Sequence, residues 1–109
     1  MEKGEIWIVN LAETSGHEQI GTRPAILISD TQTSICIVIP VTSNLQALRF
    51  GYTLTLSPSP ANGLSDESVA LVFQIRAIDK ARLKTRIGKL EPKIMEKIDE
   101  ILRNLLKLK

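Results

Sequence analysis

Helical periodicity is confined to one segment of this chain, which begins at Pro92 and runs to the end. Apolar side chains recur there between charged ones, at Ile94, Ile98, Ile101, Leu102, Leu105 and Leu106, and a helix tolerates proline in its first turn. The remaining apolar runs are short, rich in Ile and Val, and separated by polar turns. Because helices do not alternate with strands, a βαβ crossover fold is excluded. The pattern predicts a small, strongly bent β-barrel with one C-terminal helix.

The apolar runs predict five or six strands. They cover Glu5–Asn10, Pro24–Ser29, Ile35–Val41, Tyr52–Leu56, Ser68–Ile75 and Lys84–Leu90, with one helical turn at Asp79–Leu83. Pro24 is tolerable as the first residue of its strand. The continuous apolar character of the third strand predicts burial on both faces. With 109 residues, no internal repeat and no linker, we expect residues 1–109 to form a single domain.

Charge is distributed unevenly along the chain. Residues 76–109 carry 11 basic and 5 acidic side chains, whereas residues 1–75 carry 3 basic and 7 acidic ones. The basic half suits an anionic partner, either a phosphate backbone or an acidic peptide, although a lysine-rich solvated helix face gives the same bias. The single cysteine, Cys36, fits a reducing compartment. Since no membrane span or signal peptide is recognisable, we expect a cytoplasmic protein.

Two polar clusters interrupt the apolar strands. The first is the segment 15–24, SGHEQIGTRP, which holds His17, Glu18, Gln19 and Arg23 between the runs IWIV and AILI. A polar loop on a rigid sheet is a common position for binding and catalytic groups. A solvated surface loop with no chemical role fits the same residues equally well.

The second cluster, PVTSN, places Thr42, Ser43 and Asn44 directly after a buried strand. Such residues satisfy backbone groups in turns, which is the simpler explanation. One histidine and one cysteine cannot form a zinc site, and neither a glycine-rich phosphate loop nor a GxSxG elbow occurs. Arg23 with the two hydroxyls would suit an oxyanion, because guanidinium offers a planar fork of donors that matches phosphate.

The order of these motifs adds a resemblance. KGEIWIVNLAETSGHEQIGTRPAILIS, then VIPVTSN, then FQIRAIDKARLKTRIGKL resembles the MazF/PemK family of toxins from type II toxin–antitoxin systems, over nearly the whole chain. The resemblance implies a mainly β fold, a small SH3-like barrel of the CcdB/PemK type with a C-terminal helix, and a homodimer. It also implies a cofactor-free, metal-independent endoribonuclease that cleaves single-stranded mRNA at short sequences, leaving a 2′,3′-cyclic phosphate and a 5′-hydroxyl.

The resemblance assigns roles to single positions. Catalysis falls to Arg23 of the GTRP element and Thr42 of the PVTS element, and His17 matches the histidine that positions the reacting phosphate in PemK-type members. Substrate binding is expected of Glu18, Gln19, Ser43, Asn44 and Gln74, although ordinary turn and strand-end polarity explains the last three as well. The PemK-type arginine and aspartate fall at Leu71 and Phe73, so that acid/base pair is missing and the MazF-type arrangement is favoured.

Partners also follow from the resemblance. We expect single-stranded RNA as the substrate and a cognate antitoxin with an acidic, disordered tail, with DNA bound only through the antitoxin and no membrane association. The apolar stripe of the helix can be used within one monomer, so the homodimer rests on resemblance alone.

Two alternative functions remain. A CcdB-type poison of DNA gyrase acts through an aromatic-containing C-terminal tail, whereas this chain ends in LLKLK. A catalytically inactive binding module is the other.

Overall fold

The computed structural model describes residues 1–11 and 21–109. The strands are β1 Glu5–Leu11, β2 Gly21–Asp30, β3 Ile35–Thr42, β4 Thr53–Leu56, β5 Ser68–Leu71, β6 Arg76–Asp79 and β7 Leu83–Lys89. Short 3₁₀ turns cover Leu45–Arg49, Val72–Gln74 and Lys80–Arg82, and the helix α1 covers Pro92–Leu106. The predicted order of strands followed by one C-terminal helix is confirmed.

The strands form an antiparallel sheet that bends at β3. The order is β4-β5-β3-β2-β1-β7, and β6 also pairs with β3. One edge of β3 pairs with β2. The other edge pairs with β6 over residues 35–38 and with β5 at Val41 and Thr42. One strand thus belongs to both halves of the sheet, and it is the buried strand that the sequence predicts.

The sheet remains open among the described residues, since β4 and β7 stand at its two ends. The segment 57–67, between β4 and β5, lies against β7 instead, and the Lys89 N–H donates to the Ala61 carbonyl at 2.8 Å. The mainly β fold class with a C-terminal helix is confirmed, while the predicted barrel is not closed by strand pairing.

Helix α1 covers the main core with its apolar stripe. Ile98 is fully buried, and its neighbours Ile94, Met95, Ile101, Leu102 and Leu105 pack against the same cluster. Leu106, expected in the stripe, is 53% exposed because it lies in the last turn, after which Lys107 adopts a left-handed conformation. No helix within residues 1–11 and 21–109 has the length and apolar character needed to cross a membrane.

Two predicted strands differ from the observed ones by more than one residue at an end. Strand β2 begins at Gly21, so Pro24 lies inside it rather than at its start. The pairing of β2 with β3 extends only to Ala25. Pro24, the residue before it, therefore needs no N–H for a hydrogen bond to β3.

The predicted strand Ser68–Ile75 is split by the 3₁₀ turn Val72–Gln74. Ala70 pairs with Val41 and Arg76 with Val38, so the five residues 71–75 face only the two residues 39–40. The 3₁₀ turn accommodates the additional residues of this segment. The need for it arises from the pairing with β3, so neighbouring residues in the sequence give no signal of it.

Candidate active site

The ends of β2 and β3 open onto a cleft of about 390 Å³. Arg23 and Thr22 come from β2, Thr42 ends β3, and Ser43 follows it. A second wall, the far wall, consists of Gly63, Leu64, Ser65 and Asp66, which precede β5, and of Ser68, the first residue of β5. The structure therefore brings together the arginine, threonine and serine that the sequence selects from two separate motifs.

Strand register explains why Arg23 and Thr42 line the same cleft. Antiparallel pairing places Ile26 opposite Ile39 and Ala25 opposite Pro40, and continuing the same register by two residues places Arg23 opposite Thr42. Directly opposed residues of an antiparallel pair lie on one face, with Cβ atoms about 5 Å apart. The ladder itself ends at the pair of Ala25 and Pro40, so Arg23 and Thr42 lie just beyond the last paired residues, and both line the cleft.

Thr42 is the buried member of this pair, 5% exposed, whereas Arg23 is half-buried. The Thr42 hydroxyl accepts a hydrogen bond from the Asn44 N–H at 3.2 Å. The Asn44 side chain in turn accepts from the Gln46 N–H at 3.1 Å and caps the turn Leu45–Arg49. Turn chemistry, the simpler explanation of this cluster, is thus present, and it fixes the Thr42 hydroxyl at the cleft.

A second hollow, of about 100 Å³, adjoins the cleft through Thr42, which lines both. Asn44 and Gln74 line this hollow together with Gln46, Ala47, Arg49, Phe50, Leu71 and Phe73. The structure therefore places two of the expected substrate-binding residues next to Thr42. It also places Leu71 and Phe73, the positions of the PemK-type acid/base pair, in the same hollow as apolar lining.

Aromatic contacts shape the second hollow, and none of them is predicted from the sequence. The rings of Phe50 and Phe73 are 5.6 Å apart between centroids, and Arg49 Cζ lies 4.9 Å from the centroid of the Phe50 ring. A guanidinium over an aromatic face is held by the ring quadrupole. Phe50 and Phe73 are 23 positions apart in the chain, so only the pairing of β4 with β5 brings them together.

The far wall of the cleft is held by Asn62, which belongs to none of the predicted strands or site residues. This amide is 3% exposed. Its Oδ1 accepts from the N–H groups of Ser59, at 3.0 Å, and Leu64, at 2.9 Å, and its Nδ2 donates to the Ser57 carbonyl at 2.8 Å. The Asn-Gly dipeptide at 62–63 is a turn signal that could have identified it.

Two glycines seat this wall on β7. Gly63 has φ +70, and a Cβ placed there would lie 2.0 Å from the Ile87 carbonyl oxygen. A Cβ at Gly88 would lie 2.4 Å from the Asn62 carbonyl carbon. Backbone thus packs directly on backbone, which only glycine permits at both positions.

His17, Glu18 and Gln19 lie outside the described residues. Their predicted roles stay predictions.

Shifted pKa values occur in carboxylates that brace the sheet. Burial raises the pKa of Glu5, but the hydrogen bond from Trp7 Nε1 at 3.0 Å, the Glu2 backbone contact and the charge of Arg86 lower it more, so the net shift is downward. The pKa of Asp30 is lowered by its ion pair with Lys80 and by the Gln32 N–H. These contacts join strand ends and turns, and neither carboxylate lines the cleft.

Comparison with known proteins identifies relatives over nearly the whole length of this chain. The sequence profile of the family described as PemK-like, MazF-like toxin of type II toxin-antitoxin system matches residues 2–106. The chain is 36% identical over 104 residues to endoribonuclease PemK of Escherichia coli, covering 90% of this chain and 76% of that protein. It is 30% identical over 112 residues to endoribonuclease EndoA of Bacillus subtilis, covering 99% and 96% respectively.

Among solved structures, MazF (Form-I) from Deinococcus radiodurans is similar, with a TM-score of 0.81, 25% identity, and coverage of 98% of this chain and 96% of that one. The chain therefore belongs to the PemK-like, MazF-like toxins of type II toxin–antitoxin systems, and the prediction of an endoribonuclease toxin of this family is confirmed.

Proposed function

We propose that this toxin cleaves single-stranded RNA without a metal ion, by attack of a ribose 2′-hydroxyl on the adjacent phosphorus. The products are a 2′,3′-cyclic phosphate and a 5′-hydroxyl. The observation that supports this is that Arg23 and Thr42 line one cleft, just beyond the last paired residues of β2 and β3. DNA lacks the attacking hydroxyl and is not cut.

Arg23 supplies electrostatic stabilisation. Attack by the 2′-hydroxyl builds negative charge on the non-bridging oxygens, and a guanidinium donates to two such oxygens at once. Arginine is a poor proton donor because its pKa exceeds about 12, so its role is to bind growing charge.

Thr42 presents a hydroxyl whose position is fixed by the Asn44 N–H. That hydroxyl accepts from the backbone and still carries a proton to donate to a phosphate oxygen. Ser43, exposed at the rim of the same cleft, is placed to bind the same phosphate group.

His17 is proposed as the group that exchanges protons, since histidine is the side chain that ordinarily titrates near neutral pH. Glu18 orients it, and Gln19 contacts the substrate. These roles rest on the resemblance of the GHEQ element. A pH–rate profile that His17→Ala leaves unchanged would reduce the histidine to a structural role.

Base recognition is proposed for the second hollow. Asn44 and Gln74 carry amides that can bond the edges of unstacked RNA bases, and both line the same hollow as Thr42. A strand whose scissile phosphate occupies the cleft thus places a neighbouring base at these amides.

A homodimer is proposed from an exposed apolar segment. Leu45, Leu48, Phe50 and Tyr52 are each 44–48% exposed, a surplus that the sequence analysis did not anticipate. Contiguous exposed apolar groups mark contact surfaces. Light scattering of Leu48→Asp, which lies outside the second hollow, should show a shift towards monomer, and an unchanged mass would exclude this segment as the interface.

The remaining partner is a cognate antitoxin, as the toxin–antitoxin family implies. We propose that its acidic, disordered tail binds the basic half of this chain, where burial of opposite charges favours association. DNA is bound only through that antitoxin. The site of action is the cytoplasm, where mRNA is found and the buried thiol of Cys36 stays reduced.

The test uses purified protein and a defined single-stranded transcript, with chelator present throughout. Wild type should cut at specific positions and leave 2′,3′-cyclic phosphate ends, and the DNA analogue should stay intact. Arg23→Ala should lower kcat by about 10²–10³-fold, the cost of removing one preorganised donor. Arg103→Ala is the matched control, because that arginine is exposed on α1 and paired only with Glu100 among the described residues.

Full cutting by Arg23→Ala would refute its assignment. Absence of wild-type cutting in chelator, when a chelator-free sample of the same protein cuts, would refute the metal-independent mechanism. Growth inhibition that leaves cellular RNA intact would refute the nuclease altogether.

A further inference from the structure

Asp66 lines the same cleft as Arg23 and Thr42, as part of its far wall. Its backbone is held in place, because the buried Ser68 hydroxyl donates to the Asp66 carbonyl at 2.8 Å. Ser68 begins β5, and Asn62 fixes the segment four residues before Asp66. The carboxylate therefore projects from a rigid part of the wall.

The Asp66 carboxylate is exposed and weakly engaged within residues 1–11 and 21–109. Its one contact there is the Ser65 hydroxyl, at 3.4 Å. The next carboxylate along the chain differs, since Glu67 accepts from the Ser57 hydroxyl at 2.9 Å and does not line the cleft. Of these two adjacent acids, only Asp66 is presented to a ligand in the cleft.

A carboxylate beside a phosphate-binding site is repelled by the phosphate itself. Its favourable partners on RNA are N–H donors at base edges, because an ionised carboxylate only accepts hydrogen bonds. Adenine, cytosine and guanine carry exocyclic amino groups, and carboxylates accept from such groups. Uracil has no amino group, and its single edge N–H lies between two carbonyl oxygens. These oxygens repel a carboxylate, so binding of uracil beside Asp66 is disfavoured.

We propose that Asp66 is a specificity-determining residue, which accepts a hydrogen bond from the amino group of a base next to the scissile phosphate and disfavours uracil there. This inference rests on the proposed endoribonuclease function of the same cleft. Asp66 has no part in the bond-breaking step, so its removal changes which sequences are cut more than how fast the best one is cut.

The test maps the cleavage ends left on a transcript with randomised positions around the cut. Wild type, Asp66→Asn, Asp66→Ala and Glu67→Gln are compared at equal concentration, after melting curves confirm that each is folded. Wild type should show one flanking position depleted of uracil. Asp66→Asn, whose amide can also donate to a carbonyl, should raise the uracil to amino-base ratio at that position about tenfold, a typical discrimination for one base contact.

Asp66→Ala should flatten the preference at the same position, and Glu67→Gln should keep the wild-type pattern. Uniform slowing by Asp66→Asn on all sequences, with an unchanged pattern, would overturn the assignment. So would an equal change of pattern in Glu67→Gln. Wild-type protein that leaves the transcript intact would instead refute the proposed function, so the two failures are distinguishable.

Discussion

Replacing Asn62 by alanine tests whether the far wall of the cleft is held by one buried amide. The change removes three hydrogen bonds, two accepted from the Ser59 and Leu64 N–H groups and one donated to the Ser57 carbonyl. Each such bond contributes about 1 kcal/mol net. Because Asn62 is only 3% exposed, water replaces the lost partners poorly. We therefore expect the free energy of unfolding to fall by about 3 kcal/mol.

Urea titration followed by fluorescence of Trp7, the single tryptophan, measures this loss. With a slope of about 1.5 kcal/mol per molar, the midpoint should fall by about 2 M. Asn104→Ala is the matched control, because Asn104 is exposed on α1 and surface changes typically stay within about 0.5 kcal/mol.

Activity provides a second measurement on the same variant. Without urea, at a temperature where Asn62→Ala stays folded, kcat/KM should still fall. Leu64, Ser65 and Asp66 of the far wall would no longer be held by the Asn62 side chain. A midpoint shift below about 0.5 M would mean that solvent replaces the three bonds, and the assignment of Asn62 as the anchor would be wrong.

Two further predictions concern packing and pH. Gly88→Ala should destabilise the fold by about 1–3 kcal/mol in thermal or urea unfolding, because the new Cβ would lie 2.4–2.5 Å from the Ala61 and Asn62 backbone. Gly51→Ala is the control, because a Cβ there has no atom within 4 Å. Equal melting temperatures of the two variants would refute the predicted clash. The pKa of Glu5 lies below its ordinary value of 4.5, so its stabilisation is fully present above that value and is lost as the pH falls through the lowered pKa. Wild type should therefore be more stable than Glu5→Gln near neutral pH, with the difference shrinking below about pH 4.5; a constant difference across the acid range would contradict this.

Some predictions succeeded because their physical signals are local. The helix is encoded by apolar residues at 3.6-residue spacing with Pro92 at its start. The buried strand β3 is encoded by an unbroken apolar run. Residue chemistry marks Arg23 and Thr42 as suited to an oxyanion, and both line one cleft, while their catalytic roles stay a prediction.

Other features could not be read from neighbouring residues. The split of the predicted strand at Val72–Gln74 follows from a mismatch of register against β3. The contact between Phe50 and Phe73 needs two strands to pair. Asn62 looked like an ordinary loop residue, and only burial turned its amide into an anchor.

The sequence by itself determined the kinds of element, their order and the chemical types available for binding a phosphate, because periodicity and side-chain chemistry are properties of the chain. Tertiary structure alone decided which of these groups share a cleft. Strand register brings Arg23 and Thr42 to the same end of the β2–β3 pair, and glycine-to-backbone packing at Gly63 and Gly88 positions the far wall, which includes Asp66. Both depend on contacts between residues far apart in the chain, whose geometry exists only once the sheet has formed.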